Sequence, residues 1–326
     1  EIGVRGSKVT KAIKKAQETQ KSFYQHLQDR GKEVLDNLGE DETALVIVSR
    51  PYNGCDSGVN LDLPEKLRDM GITAIPMDCI PLDIEDISKD YPNMYWKYGQ
   101  KILAAARFIA KDKRLNALYI TNFGCGPDSF ISKFFPKEVG GKPFLMIDID
   151  EHSADAGVMT RCEAFLDSLK NARIKKFEKD TEQKHKHALN KKRTMYIPYM
   201  NDCCFMAAAA MRANGVDAVA MPMPDKTSLE LGRKYTSGKE CYPAILTTGD
   251  IVKRAKSPDF DPDKSVFFMA TASGPCRFGQ YTTMHRMILD DIGMPHVPIF
   301  TLDQGDDYQE DTEKLGANFR KLTWNG

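Results

Sequence analysis

The sequence predicts an α/β protein of two parallel-sheet halves behind a helical lead-in, and three observations carry that expectation. Short, almost wholly apolar runs recur along the chain, which suits strands buried on both faces. Between them lie segments whose apolar residues fall three or four apart, the spacing of a helix. After a charged stretch at 171–193 the same alternation starts afresh.

In chain order, 1–40 reads as the lead-in: it is charged, with Val9, Ile13, Phe23, Leu27, Val34 and Leu38 at helical spacing. The first α/β domain is expected over 41–170. Its strands are ALVIVS (44–49), ITAIPM (72–77), ALYITN (117–122) and FLMIDI (144–149). Its helices are LPEKLRDM, ended by Gly71 in the C′ position, YWKYGQKILAAARFIAKD, and a segment over 154–170. Residues 170–193 hold ten Lys/Arg against three Asp/Glu with few large apolar side chains, so 171–193 reads as a charged linker or an exposed crossover helix. The second domain, 194–326, has strands TMYIPY (194–199), VDAVAMPM (216–223), VFFMAT (266–271) and PHVPIF (295–300), with helices FMAAAAMRA and YTTMHRMILDDI each closed by a glycine.

A length of 326 residues fits two domains better than one core. Net charge is zero, which removes any global electrostatic case for nucleic acid or an anionic membrane. No apolar run approaches the ~20 residues needed to span a bilayer. The first residues, EIGVRGSK, lack the apolar core of a signal peptide. A cytoplasmic protein with reduced thiols is therefore expected, and its eight cysteines are candidate ligands rather than a disulfide framework. No C-x-x-C occurs, so any metal site must gather single cysteines from separate loops.

The halves place those cysteines alike. Cys55 follows the first strand of one half and Cys204 the first strand of the other, 149 residues apart. Cys125, in NFGCGP, follows the third strand of the first half, and Cys276, in SGPCR, follows its counterpart 151 residues on. An internal duplication would produce this pattern, with cysteine loops at the carboxyl ends of strands, where open α/β sheets bind ligands. Cys241 precedes the helical stretch AILTTGDIVKRA, and a thiol at a helix N-terminus is favoured as thiolate. Glycines beside Cys125 and Cys276 free backbone N–H groups that can bond cluster sulfurs. Three thiolates leave one iron of a cubane open, as catalysis at a cluster requires.

Each feature has a plainer account. Free cysteine is commonly a buried small hydrophobe, and the apolar neighbours of Cys79 and Cys162 suit that role. Cys203 and Cys204 read equally as helix-start packing, and Asp150, Glu151 and His152 as a cap or surface cluster. Gly124-x-Gly126-x-x-Ser129 with Asp148 half-matches a dinucleotide fingerprint, which keeps a nucleotide-binding α/β protein with structural cysteines as an alternative. No phosphate-binding G-x-x-x-x-G-K-[ST] loop exists in the chain.

Six stretches together carry a resemblance: RPYNGCDSGVNLDLPEKLRDMG, NMYWKYGQKILAAARFIA, YITNFGCGPDSF, IDEHSADAGVMTRCEAFLDSL, SGKECYPAILTTGDIV and GPCRFGQY. Over roughly 43–325 the chain resembles the carboxyl-terminal portion of the large CoA-substrate-specific enzyme activases. That portion is itself similar to the cluster subunits of 2-hydroxyacyl-CoA dehydratases and benzoyl-CoA reductases, and to double-cubane cluster proteins. The resemblance implies two flavodoxin-like halves with an iron–sulfur cluster, [4Fe–4S] or double-cubane [8Fe–9S], in a cleft between them. It implies low-potential electrons from an ATP-hydrolysing activase, in trans or on one longer chain, with an acyl-CoA or other small molecule as substrate. Apart from the resemblance, a homodimer is the expected assembly. Cys125, Cys241 and Cys276 match the motif cysteines, and Cys55 also fits. A double cubane would add Cys204 and one of Cys79, Cys162 and Cys203. Two readings follow, a reductase or dehydratase component and a non-catalytic electron relay or scaffold that docks an activase.

Overall fold

A computed structural model describes residues 6–124, 126–171 and 193–302. In chain order the elements are α1 (Gly6–Asn37), β1 (Ala44–Val48), α2 (Pro51–Cys55), α3 (Ser57–Asn60), α4 (Leu63–Asp69), β2 (Thr73–Pro76), α5 (Ile84–Asp90) and α6 (Lys97–Lys111). Then come β3 (Leu115–Thr121), α7 (Asp128–Glu138), β4 (Phe144–Asp148), α8 (Asp155–Asn171), β5 (Thr194–Ile197), α9 (Cys203–Ala213) and β6 (Ala218–Ala220). The last are α10 (Lys226–Tyr235), α11 (Tyr242–Ala255), β7 (Ser265–Phe268), α12 (Tyr281–Asp291) and β8 (Ile299–Phe300).

The described residues fall into two compact units. The first takes 6–86, 101–123 and 135–171; the second takes 87–100, 124, 126–134 and 193–302. Two segments from early in the chain, one of them containing the turn after β3, thus belong to the second unit. The linker expected over 171–193 lies almost wholly outside the described residues.

In the first unit a parallel sheet runs β2-β1-β3-β4. Every residue of β1 and β3 is buried, as their unbroken apolar runs predict for strands covered on both faces. Leu45, Ile47, Leu118, Ile120 and Ile147, alternating along their strands, share one face and pack against Val158, Cys162 and Leu166 of α8. Gly71 takes φ +75° after α4, and the Gly71 and Ile72 N–H groups donate to Arg68 O and Leu67 O at 2.8 and 2.9 Å, closing that helix as expected. In α1 the buried residue is Gly31, where a Cβ would overlap the carbonyl of Cys79, so only glycine permits that approach. The lead-in is helical, but its Val9, Ile13 and Phe23 are exposed.

In the second unit the sheet order is β6-β5-β7-β8, again all parallel. It repeats the first sheet's order strand for strand, so the chain is two topologically equivalent α/β halves of flavodoxin-like order. Its strands are shorter than expected. Pro222 and Pro298 lack an N–H and stop the ladder beside β6 and β8. Met195, Ile197, Val266 and Phe300 meet Cys204, Ala208 and Met211 of α9 in its core. Helix α10, which sequence periodicity did not single out, starts at a reciprocal cap between Asp225 and Ser228. It lies backbone to backbone against α11, for a Cβ at Gly232 would overlap Ile245 O and one at Gly249 would overlap Ser228 O.

Candidate functional site

The second unit brings the turns that carry Cys241 and Cys276 together with the glycines at 124 and 126. Cys241, at φ −65° and ψ 143°, is the N-cap of α11, with Pro243 in the first turn. Cys276, at φ −68° and ψ 136°, caps a 3-10 turn over Arg277–Gln280 that runs into α12. Neither thiol makes a capping hydrogen bond, so both sulfurs stay available beside helix ends whose N–H groups are unpaired within the helix.

Tyr281, the first residue of α12, faces both. Its hydroxyl lies 2.8 Å from Cys241 Sγ. Burial, then this hydrogen bond and the neighbouring Cys241 and Cys276, push the phenol's pKa well above its ordinary value. Tyr281 therefore stays protonated, hydrogen-bonded to the sulfur. Its ring stacks on Phe130 at 5.9 Å, which holds it in place.

Arg277 ties the third turn to the first two. Its Nη1 donates to Ser129 Oγ at 2.9 Å, and more weakly to Gly126 O and Lys239 O at 3.4 Å each. Gly124 and Gly126 take φ +61° and +57°, a conformation that glycine adopts at no steric cost. A Cβ on Gly124 would come within 2.6 Å of Lys239 Cδ. The glycines flanking Cys125 are therefore held against the residues flanking Cys241 and Cys276. Cys125 itself lies outside the described residues. Behind the Cys276 turn, Asn93 Nδ2 donates to Thr271 Oγ1 at 3.1 Å, Gln280 Nε2 to Asn93 O at 2.6 Å and Trp96 Nε1 to Pro275 O at 3.1 Å.

The remaining cysteines are placed differently. Cys204 is 7% exposed in the α9 core, where burial raises its pKa, and Cys203 beside it is exposed. In the first unit Cys55 ends α2, and burial then the Asp78 carboxylate push its thiol up. Cys79 is shifted upward by burial, Asp78 and Cys55 together, so these two thiols and one carboxylate are neighbours. Cys162 is fully buried in the sheet core with its pKa raised to about 11, the packing role its neighbours suggest. Asp150 accepts from His152 N and Ser153 Oγ at 2.9 Å each, a turn ahead of α8. Among the described residues no three of His, Cys, Asp and Glu form a set that could hold a metal ion.

Sequence reasoning missed Tyr281, Lys239 and the Asn93–Trp96 support. Tyr281 and Arg277 lie in GPCRFGQY, Lys239 in SGKECYP and Asn93 and Trp96 in NMYWKYGQ, where no local pattern assigns them a role. The one local signal for Tyr281 is its place at a helix start five residues after Cys276; nothing local pairs it with Cys241.

No helix among the described residues is long and apolar enough to cross a membrane. No curated protein matches the chain. Among solved structures, the crystal structure of PH0766 from Pyrococcus horikoshii OT3 is 9% identical, with 87% of this chain and 60% of that one covered at a TM-score of 0.24. At that score the likeness has no bearing on fold or function, and the chain spans about three fifths of that structure's length. Residues 1–80 match the family described as the CoA enzyme activase uncharacterised domain, and that stretch relates the chain to CoA enzyme activase proteins.

Proposed function

We propose that this chain is the cluster-bearing component of a CoA-linked reductase or dehydratase system, receiving low-potential electrons from an ATP-hydrolysing activase. The observation that carries the reading is the joining of the Cys241, Cys276 and Cys125 turns through Tyr281 and Arg277. The match of residues 1–80 to a domain of CoA enzyme activases supports the partner. The donor set suits an iron–sulfur group: soft sulfur ligands on turns fixed by neighbours, with glycine at 124 where a side chain would collide with Lys239.

Cys125, Cys241 and Cys276 would hold the group, with Cys55 and Cys204 as further candidates for a larger cluster. Of these, Cys204 would have to leave its core contacts to serve. When bound, such a group accepts and passes single electrons at low potential. The chain's own residues supply the rest. Tyr281 donates a hydrogen bond to the Cys241 sulfur and limits its negative charge. Arg277, a fixed cation, anchors the 126–129 turn. The acyl-CoA substrate is the part of the proposal that rests on sequence resemblance alone.

Iron and acid-labile sulfide per chain after strictly anaerobic purification test this directly. About four irons indicate one cubane and about eight a double cubane. Absence of both iron and sulfide, even after reconstitution, overturns the reading.

A further inference from the structure

Helix α1 is left open by the fold of its own unit. Every residue from Gly6 to His26 is exposed, a helical stretch about 30 Å long. Most helical stability in proteins comes from packing an apolar face, so a stretch this long without cover calls for a partner.

The stretch carries a seam for one. Val9, Ile13, Ala16, Gln20, Phe23 and Leu27 follow one another in steps of four and three, the spacing of a coiled-coil contact. Val9, Ile13 and Phe23 are 38%, 53% and 54% exposed. The positions that flank this seam, Thr10, Ala12, Gln17, Thr19, Tyr24 and His26, hold no Lys, Arg, Asp or Glu. Lys8, Lys11, Lys14, Lys15 and Lys21 all fall on the outer face instead. Flanking charges choose the partner of a coiled coil. Lysines there would select an acidic helix, whereas neutral flanks let the helix meet a copy of itself without like-charge repulsion.

The same face decides the direction. Gly31 lies on it, and a Cβ there would come within 1.8 Å of Cys79 O, so the body of the first unit occupies the seam face from that residue on. Two parallel helices in register would each bring a body to the place where the other helix runs. An antiparallel copy, with its Ala16 opposite Gln20, sets Val9 against Leu27 and Ile13 against Phe23. Its residue 6 then reaches residue 30 and stops short of the obstruction. Charge agrees with this direction. Residues 8–21 hold five Lys and one Glu, and the antiparallel order turns that end toward the copy's Asp29 and Glu33 rather than toward its lysines. A flat anionic lipid surface laid on the seam would instead meet the body at Gly31.

We propose that α1 is a dimerisation helix, its seam over 9–27 closed by the same seam of a second copy running antiparallel, an isologous two-fold contact. Gln20, the polar residue on the seam, faces the small Ala16 of the copy and fixes the register at some cost in stability.

Sedimentation equilibrium of the full-length, iron-free protein over a wide range of concentration tests this, with reductant present so that no thiol links the chains. A reversible passage from 36.7 kDa to twice that mass is expected. Ile13→Glu and Phe23→Glu should each hold the protein at the mass of one chain. Both side chains are exposed, so the fold of the unit should survive, which circular dichroism checks. Lys14→Glu, on the outer face, should leave the dimer intact. Direction is read from Ile13→Glu combined with Phe23→Lys. Antiparallel seams pair the two new charges and recover association, whereas parallel ones set like against like and stay apart. A single-chain mass at every concentration, a dimer indifferent to Ile13→Glu and Phe23→Glu, or no recovery in the double variant overturns the proposal. So does a monomer that binds phosphatidylserine vesicles through these two residues, which would assign the face to a lipid surface. None of these readouts involves iron, so their outcome is separate from that of the cluster reading.

Discussion

The two units share one strand order and differ in what surrounds it. In the first, β1 and β3 are buried along their whole length, and the unit's fully buried cysteine, Cys162, is packed inside the sheet core. In the second, the strands run only two to four residues, and Cys241 and Cys276 stand on helix-start turns outside the core. One topology therefore places cysteine in two settings. Cys162 and, in the second unit, Cys204 pack as small hydrophobes, whereas Cys241 and Cys276 stand on capped turns.

The sharpest way to break that comparison is to replace thiols in each unit and measure iron. Cys241→Ser and Cys276→Ser should each remove most of the iron and sulfide of anaerobically purified protein, whereas Cys162→Ser should keep the metal and lose thermal stability. Iron retained in both ligand variants would dissolve the contrast.

Stability should divide in the same way. Leu118→Ala, in the sheet core of the first unit, should cost about 3 kcal/mol by cavity formation. Gly249→Ala in the second should cost a similar ~3 kcal/mol for the opposite reason, overpacking against Ser228 O. Denaturant unfolding reads both. A near-neutral Gly249→Ala would mean that α10 and α11 separate easily.

Two buried groups of the second unit give it a pH signature. Burial lifts Asp250, near Asp225 and Lys253, to about 6 from 3.8. Burial lowers His285, which faces Thr247 and Tyr281, to about 3 from 6.5. Between about pH 4 and 6 the folded state thus holds Asp250 protonated and His285 neutral, while the unfolded chain ionises both. Asp250 lowers stability as pH rises from about 4 to 6, and His285 lowers it as pH falls over the same window. Each acts with a slope of about 1.4 kcal/mol per pH unit, so they offset in the wild type. Relative to the wild type, Asp250→Asn should lose stability on going from about pH 6 to 4, and His285→Gln should lose it from about 4 to 6. Unfolding curves across that range, with no opposite trends between the variants, would refute the assignment.

The smallest expected effect is the most specific. Tyr281→Phe removes one hydroxyl, about 1 kcal/mol of stability, and should leave the iron content unchanged. It should also make the centre's midpoint potential more negative, because a hydrogen bond to a ligand sulfur stabilises the reduced form. An unchanged potential would mean that Cys241 is not a ligand or that Tyr281 does not donate to it.

What local chemistry controls was legible before any coordinates. Apolar runs located both sheets, Gly71 closed α4, and the Gly/Pro framing of Cys241 and Cys276 marked their turns. The places where expectation and structure part are instructive. The strands expected over 216–223 and 295–300 are trimmed beside Pro222 and Pro298, whose missing N–H groups end the ladder. Cys55 and Cys204, matched by position after the first strand of each half, occupy unlike surroundings, because position along a chain does not say which side of a helix faces the core.

By itself the sequence determined the positions of the strands, their parallel sheets in two halves and the turns that carry Cys241 and Cys276, because periodicity, proline and glycine act within a few residues. Only the tertiary structure decided that the turn after β3 belongs to the second unit, that Arg277 reaches Ser129, and that Tyr281 meets Cys241 across 40 residues of chain. Those contacts depend on how packed elements meet, and no local rule of propensity or capping carries that information.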